Sequence, residues 1–224
     1  MLGFDPTQEQ EALREMAHKF AANEIRPRAA EWDRDGVFPL ELFRKAFDLG
    51  LMTGFIPESY GGQGLSSLDT CFLEEEISWG CSGVATSMTA NGLALGPILL
   101  VGTEEQKRSF VAPFATAFRF ASFCLTEPGA GSDAGGIAAT ARRDGDGYVL
   151  NGRKCFITNG AHASQYTVFA STDRSRGHKG LSAFVVPREA PGVSSGKKED
   201  KMGQRASETS DVLFEDVRVP EANR

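Results

Sequence analysis

The sequence predicts an α+β protein whose helices and strands are segregated along the chain: an N-terminal all-helical domain over residues 1–118 and a small antiparallel β-barrel domain over 119–224. Three observations carry this. Apolar residues recur at helical spacing as far as Phe118. Beyond that point the apolar runs shorten to strand length and are separated by clusters of Gly, Asn, Asp and Pro. The two kinds of segment do not alternate, as a sheet built from βαβ units would require. A chain of 224 residues is long enough to bury one large or two small cores.

Asp5, Pro6 and Gln8 form a helix start, with Asp5 as cap and Pro6 at the first helical position. Leu13, Met16, Ala17, Phe20 and Ala21 then give one apolar face, and the helix is expected to run to about Arg26, ahead of Pro27. A second helix follows Pro39, with Leu42, Phe43, Ala46 and Phe47 buried and Gly50 as its stop. The loop Ile56 to Gly64 reads as a turn between helices, because no helix opening with Lys-Ser/Thr follows its glycines. Ser66 or Ser67 caps a helix through Ile77, in which Glu74, Glu75 and Glu76 point three ways and make no acid/base pair. From Gly83 to Leu100 the chain is apolar and rich in small residues, suited to close packing or to leaving room for a ligand tail. Gly102 ends that helix, and Thr103 to Gln106 is a capping box opening a short one.

Strands are expected at Phe120–Thr126, Tyr148–Leu150, Arg153–Thr158, Tyr166–Ser171, Leu181–Pro187 and Asp211–Phe214. Asn151-Gly152 and Asn159-Gly160 are both two-residue hairpin signals. Period-two alternation puts Lys154, Phe156 and Thr158 on one face and Cys155 and Ile157 on the other. In the first strand it puts Ser122, Cys124 and Thr126 together. An aromatic beside a hydroxyl near a strand end is a platform for a flat heteroaromatic ring.

The stretch Phe123 to Gly136, reading F-C-L-T-E-P-G-A-G-S-D-A-G-G, breaks off a strand into a glycine-rich turn. Pro128 pushes Glu127 towards an extended backbone, and Gly129 and Gly131 are read as positions where a Cβ would forbid the required φ. Amides converging there, with Ser132 and Asp133 beside them, can hold an anion. The spacing of Gly129, Gly131 and Ala134 also fits the dinucleotide fingerprint, but that motif must open a helix, and Gly135-Gly136 followed by hairpins does not.

Net charge is −6 with basic residues dispersed, which argues against a nucleic-acid face. No apolar run is read as approaching the roughly 20 residues a bilayer span needs. Met1 to Asp5 shows neither a signal-peptide core nor an Arg-rich transit pattern. Cys71, Cys81, Cys124 and Cys155 are read as reduced thiols, and His18, His162 and His178 are too dispersed for a metal.

The string C-L-T-E-P-G-A-G-S-D-x-x-G resembles the acyl-CoA dehydrogenase family. Lys201 to Arg205 (K-M-G-Q-R) and Val212 to Pro220 resemble further motifs of its medium-chain branch. The resemblance implies FAD as cofactor, held through Phe123, Leu125, Thr126, Gly131, Ser132, Phe156, Ile157 and Thr158, with Ser132 also near the CoA arm of the substrate. It implies that Thr126 meets the N1/O2 edge of the flavin and Thr158 the N5/O4 side. Phe156 stands where the family usually has Trp, which keeps the ring but loses the indole N–H. The implied reaction is α,β-dehydrogenation of an acyl-CoA to the trans-2-enoyl thioester, with an electron-transferring flavoprotein as acceptor. A homotetramer in the bacterial cytoplasm or mitochondrial matrix, with neither membrane nor nucleic-acid partners, completes the expectation. No residue of this chain is assigned as the catalytic base: the family places it in a C-terminal helical domain, expected beyond Arg224, and Glu127 reads as a structural carboxylate. A fragment lacking that domain is expected to be inactive alone. Acyl-CoA oxidases and flavin monooxygenases share the architecture and stand as alternatives, as does a non-catalytic flavin or acyl-CoA binding module.

Overall fold

The computed structural model describes residues 5–224; Met1 to Phe4, which carry most of the segment read as lacking a leader, lie outside them. The chain divides into two compact units. One comprises residues 1–89 with Lys201–Ser207, the other Ala90–Asp200 with Glu208–Arg224.

The first unit is helical. Helix α1 (Gln8–Phe20) is capped by Thr7 and not by the expected Asp5: the Thr7 hydroxyl accepts from the Gln10 amide while the Gln10 side chain accepts from the Thr7 amide. This reciprocal pair satisfies two donors that Asp5 would leave unmet. The helix continues through a π-helical turn (Ala21–Ile25), ending where Pro27 predicts. Helix α2 (Ala29–Asp35) was not foreseen; the buried Trp32 anchors it, and Gly36 stops it in the left-handed conformation. Helices α3 (Leu40–Asp48) and α4 (Ser67–Gly80) follow as expected, the second with Ser66 as its cap. In the segment Lys201–Ser207, Arg205 is tied to the α2 carboxylate Asp33 by its amide and its guanidinium.

Helix α5 (Ser82–Val101) contributes residues to both units. It corrects the expectation that no apolar run reaches spanning length: its 20 residues are long and apolar enough to cross a membrane, yet about half of them are buried inside the protein. Within the second unit its residues also serve polar partners, since Asn91 donates to Arg119 O and accepts from the Ala121 amide, and Ala94 O accepts from Thr167. A helix whose side-chain amide and carbonyl are consumed by neighbouring segments is a core helix.

In the second unit, α6 (Glu104–Phe110) and α7 (Ala112–Thr116) lead into one curled sheet of seven strands: β1 (Ala121–Cys124), β2 (Thr140–Asp144), β3 (Gly147–Thr158), β4 (Gln165–Ser171), β5 (Leu181–Pro187), β6 (Val193–Lys198) and β7 (Thr209–Pro220). The order is β1-β4-β2-β3-β7-β6, with β5 on β4. Most pairings are antiparallel, as the sequence predicts. The β1–β4 ladder and one β2–β4 bridge are parallel, which short strands joined by hairpins do not foretell. Tyr166, Phe184, Leu150, Ile157, Val212 and Phe214 fill the interior.

Neither Asn-Gly pair closes a hairpin. Asn151-Gly152 lies inside β3, at a register shift against β7, and a Cβ on Gly152 would lie 2.6 Å from Ala139 Cβ, so glycine is there for a close approach. Asn159 adopts a left-handed φ of 60°, but β3 and β4 on either side of it are not partners. The tight β2–β3 turn is instead made by Gly145-Asp146, where Gly145 takes a φ of 61°.

Candidate functional site

The end of β1 runs beside the end of β3. Ser122 Oγ donates to Thr158 O at 2.7 Å, and the Cys155 amide donates to Thr126 O at 2.9 Å. Ser122 to Thr126, and the turn after them, therefore lie beside Cys155 to Thr158 at the end of β3, so the two stretches the sequence singled out meet in one place.

The alternation expected for Lys154 to Thr158 does not hold. A bulge between Lys154 and Ile157, with Phe156 at a φ of 58°, shifts the register. Lys154 turns inward and is fully buried, whereas Phe156 is 64% exposed. They share no face. An exposed phenylalanine held by a strained backbone is a surface kept apolar at a cost.

The turn itself is held by Glu127. Its backbone exchanges two hydrogen bonds with Ala130, its Oε1 accepts from Lys154 Nζ at 2.7 Å and from the Ala139 amide, and its Oε2 accepts from the Ala138 amide. Burial pushes the Glu127 carboxyl up, but Lys154 and the two amides outweigh it and hold the group below the ordinary carboxylate range. Burial also lowers the Lys154 ammonium, an effect that Glu127 offsets only in part. Glu127 is thus the structural carboxylate expected of it. Cys124, beside it and fully buried, has its thiol pushed far up by burial, which leaves it a neutral apolar filler.

Gly129 and Gly131 correct their own rationale. Neither has a left-handed φ, and a Cβ at either would meet nothing within 4 Å. Neither a left-handed φ nor a close neighbour within this chain calls for glycine at these two positions, and both lie on exposed backbone. Among the described residues, the hydroxyls of Thr126, Ser132 and Thr158 have no protein hydrogen-bond partner. Thr126 and Thr158 are half-buried and Ser132 is exposed. Phe123 is half-buried against Phe169, ring centroids 5.0 Å apart, and the half-buried Leu125 gives its carbonyl to Lys154. Ile157 is buried, so its side chain packs in the sheet and only its main chain borders the others.

Lys154 is the residue whose part sequence reasoning missed. A lysine buried in a sheet needs an anion as partner, and Glu127, in the motif turn, was the acid to consider. A separate cleft in this unit, of about 280 Å³, is lined by Pro97, Ile98, Phe184, Val185 and Asn223 among others and includes none of the predicted site residues.

Comparison with known proteins matches residues 7–117 to the acyl-CoA dehydrogenase N-terminal domain and residues 122–217 to the acyl-CoA dehydrogenase middle domain. The mitochondrial short-chain specific acyl-CoA dehydrogenase of Bos taurus is 50% identical over 209 residues, covering 93% of this chain and 51% of the relative. The structure of butyryl-CoA dehydrogenase from Megasphaera elsdenii superposes with a TM-score of 0.94 at 39% identity, covering 99% of this chain and 59% of that one. An acyl-CoA dehydrogenase complexed with FAD from Bacillus anthracis gives a TM-score of 0.87 at 36% identity, over 100% of this chain and 38% of that one. The chain spans about half the length of the curated relatives it matches. With both of its halves matched by the family's own domains, and a turn whose sequence reads E-P-G-A-G-S-D, the chain belongs to the acyl-CoA dehydrogenase family.

Proposed function

We propose that this chain is the FAD-binding and substrate-binding part of an acyl-CoA dehydrogenase, with residues 1–118 as its helical domain and 119–224 as its β domain. The observation that carries the reading is the group of three partnerless hydroxyls, Thr126, Ser132 and Thr158, set around a turn whose two open glycines have no other structural reason. The residues fit FAD. Gly129 and Gly131 would let a pyrophosphate approach the backbone, Ser132 would donate to it, and the exposed Phe156 would pack on a flat ring. Thr126 and Thr158 would offer their hydroxyls to that ring, with Phe123, Leu125 and Ile157 beside them in the same two segments.

Bound FAD would supply a hydride acceptor for the β-carbon of an acyl-CoA, for α,β-dehydrogenation to the trans-2-enoyl thioester once a base has taken the α-proton. The part of this chain in that chemistry is alignment: fixed hydroxyls and amides at the ring edge stabilise charge without reorganising. We assign no base within these residues, since Glu127 is spent on Lys154 and two amides. An electron-transferring flavoprotein is the proposed acceptor, a homotetramer the proposed assembly, and the bacterial cytoplasm or the mitochondrial matrix the proposed compartment, the last in keeping with the mitochondrial relative.

The 224 residues alone are expected to bind FAD weakly and to turn over no acyl-CoA. Purification followed by flavin absorbance tests this: a colourless chain is expected, and a yellow protein with stoichiometric flavin, or any acyl-CoA turnover, contradicts it.

A further inference from the structure

We propose that Lys154 and Glu127 are a positioning pair, which holds the Thr126-to-Asp133 turn in the shape that admits its ligand; this rests on the reading of that turn as a cofactor site. Lys154 Nζ donates to Leu125 O at 3.0 Å and to Glu127 Oε1 at 2.7 Å, and so straddles Thr126. The adjacent Cys155 amide takes Thr126 O itself. Three consecutive residues, 125 to 127, are therefore fastened by two, 154 and 155. The Glu127 carboxylate also reaches the Ala138 and Ala139 amides, so one side chain clasps both ends of the loop that carries Gly129, Gly131 and Ser132.

The β3 bulge explains how one strand serves both purposes. By shifting the register between Lys154 and Ile157 it sends Lys154 into the interior and Phe156 out to the surface. Two well-packed apolar side chains would stabilise the sheet at least as well as a buried ion pair, whose desolvation cancels most of its attraction. What the pair supplies is direction: an ammonium with three donors, two of them aimed at fixed oxygens on either side of the threonine that faces the ligand.

The test uses the 224-residue chain with Lys154→Met, Glu127→Gln, the double variant, and Val217→Ala as a control. Val217 is fully buried and pairs with Leu150, away from the end of β3 that meets the turn. Amide hydrogen exchange is followed by NMR, and FAD is titrated into each chain. In the single variants the amides of Glu127, Ala130, Ala138, Ala139 and Cys155 are expected to lose at least tenfold more protection than Val168 or Val185, and FAD affinity to fall by at least tenfold. The double variant, which leaves no unpaired buried charge, is expected to recover part of both losses. Val217→Ala is expected to lower protection evenly and to leave FAD affinity unchanged. Should Lys154→Met not fold, Glu127→Gln and the double variant carry the comparison. Protection falling evenly across the sheet, or unchanged at the turn, overturns the proposal. If the parent chain shows no FAD binding, the cofactor reading fails separately and the exchange pattern alone decides the role of the pair.

Discussion

The Ser122 hydroxyl, on a side chain with no solvent exposure, donates to the Thr158 carbonyl at 2.7 Å and so fixes the start of β1 against the end of β3. Removing it leaves a carbonyl without its donor at the edge of the candidate site. Ser122→Ala is expected to cost about 1 kcal/mol, the usual net worth of a hydrogen bond, since the Thr158 carbonyl is only half-buried. Urea unfolding measures this, and a change below about 0.5 kcal/mol would show that water replaces the serine at no cost.

Glu127 predicts how stability depends on pH. Lys154 and the Ala138 and Ala139 amides hold its carboxyl below the ordinary carboxylate range in the folded chain, against the opposing effect of burial. A depressed carboxylate contributes stability that is fully present above the unfolded pKa and is lost as pH falls through the folded one. Unfolding free energy is therefore expected to decline below about pH 4.5, and the decline is expected to be shallower in Glu127→Gln. Urea titrations from pH 6 to pH 3 on both chains check this; parallel curves would remove Glu127 as a source of the acid sensitivity.

Asn91 connects α5 to the segment entering β1, donating to Arg119 O at 3.0 Å and accepting from the Ala121 amide at 2.7 Å. Asn91→Leu keeps the branching of the side chain but removes both hydrogen bonds, at about 1–3 kcal/mol for the buried Ala121 amide. A substantial drop in melting temperature is expected. A variant as stable as the parent would mean that the helix packs through its apolar residues alone.

Much of this organisation is legible in the residues. Ser66 and the Thr103-to-Gln106 box show their helix starts because capping is local chemistry, written within four positions. The E-P-G-A-G-S-D string likewise points to the turn. What the sequence hides is set by distant partners. Asn151-Gly152 carries a hairpin signal, yet the strand runs through it, because β7 offers a continuous mate and Ala139 demands a residue without Cβ. Lys154 follows alternation with Phe156 on paper; the bulge that separates them exists only once β7 and Glu127 are in place. Helix α2 was missed because its single strong anchor, Trp32, leaves too short a pattern to show periodicity.

The central claim is that the turn after β1 and the end of β3 form one flavin site, and chemical-shift mapping tests it most directly, because it detects weak binding by this chain as it stands. FAD titrated into ¹⁵N-labelled protein is expected to shift the amides of Thr126, Gly131, Ser132, Phe156, Ile157 and Thr158 together, along one saturating curve. Shifts confined to other regions, or none at millimolar FAD, would contradict it.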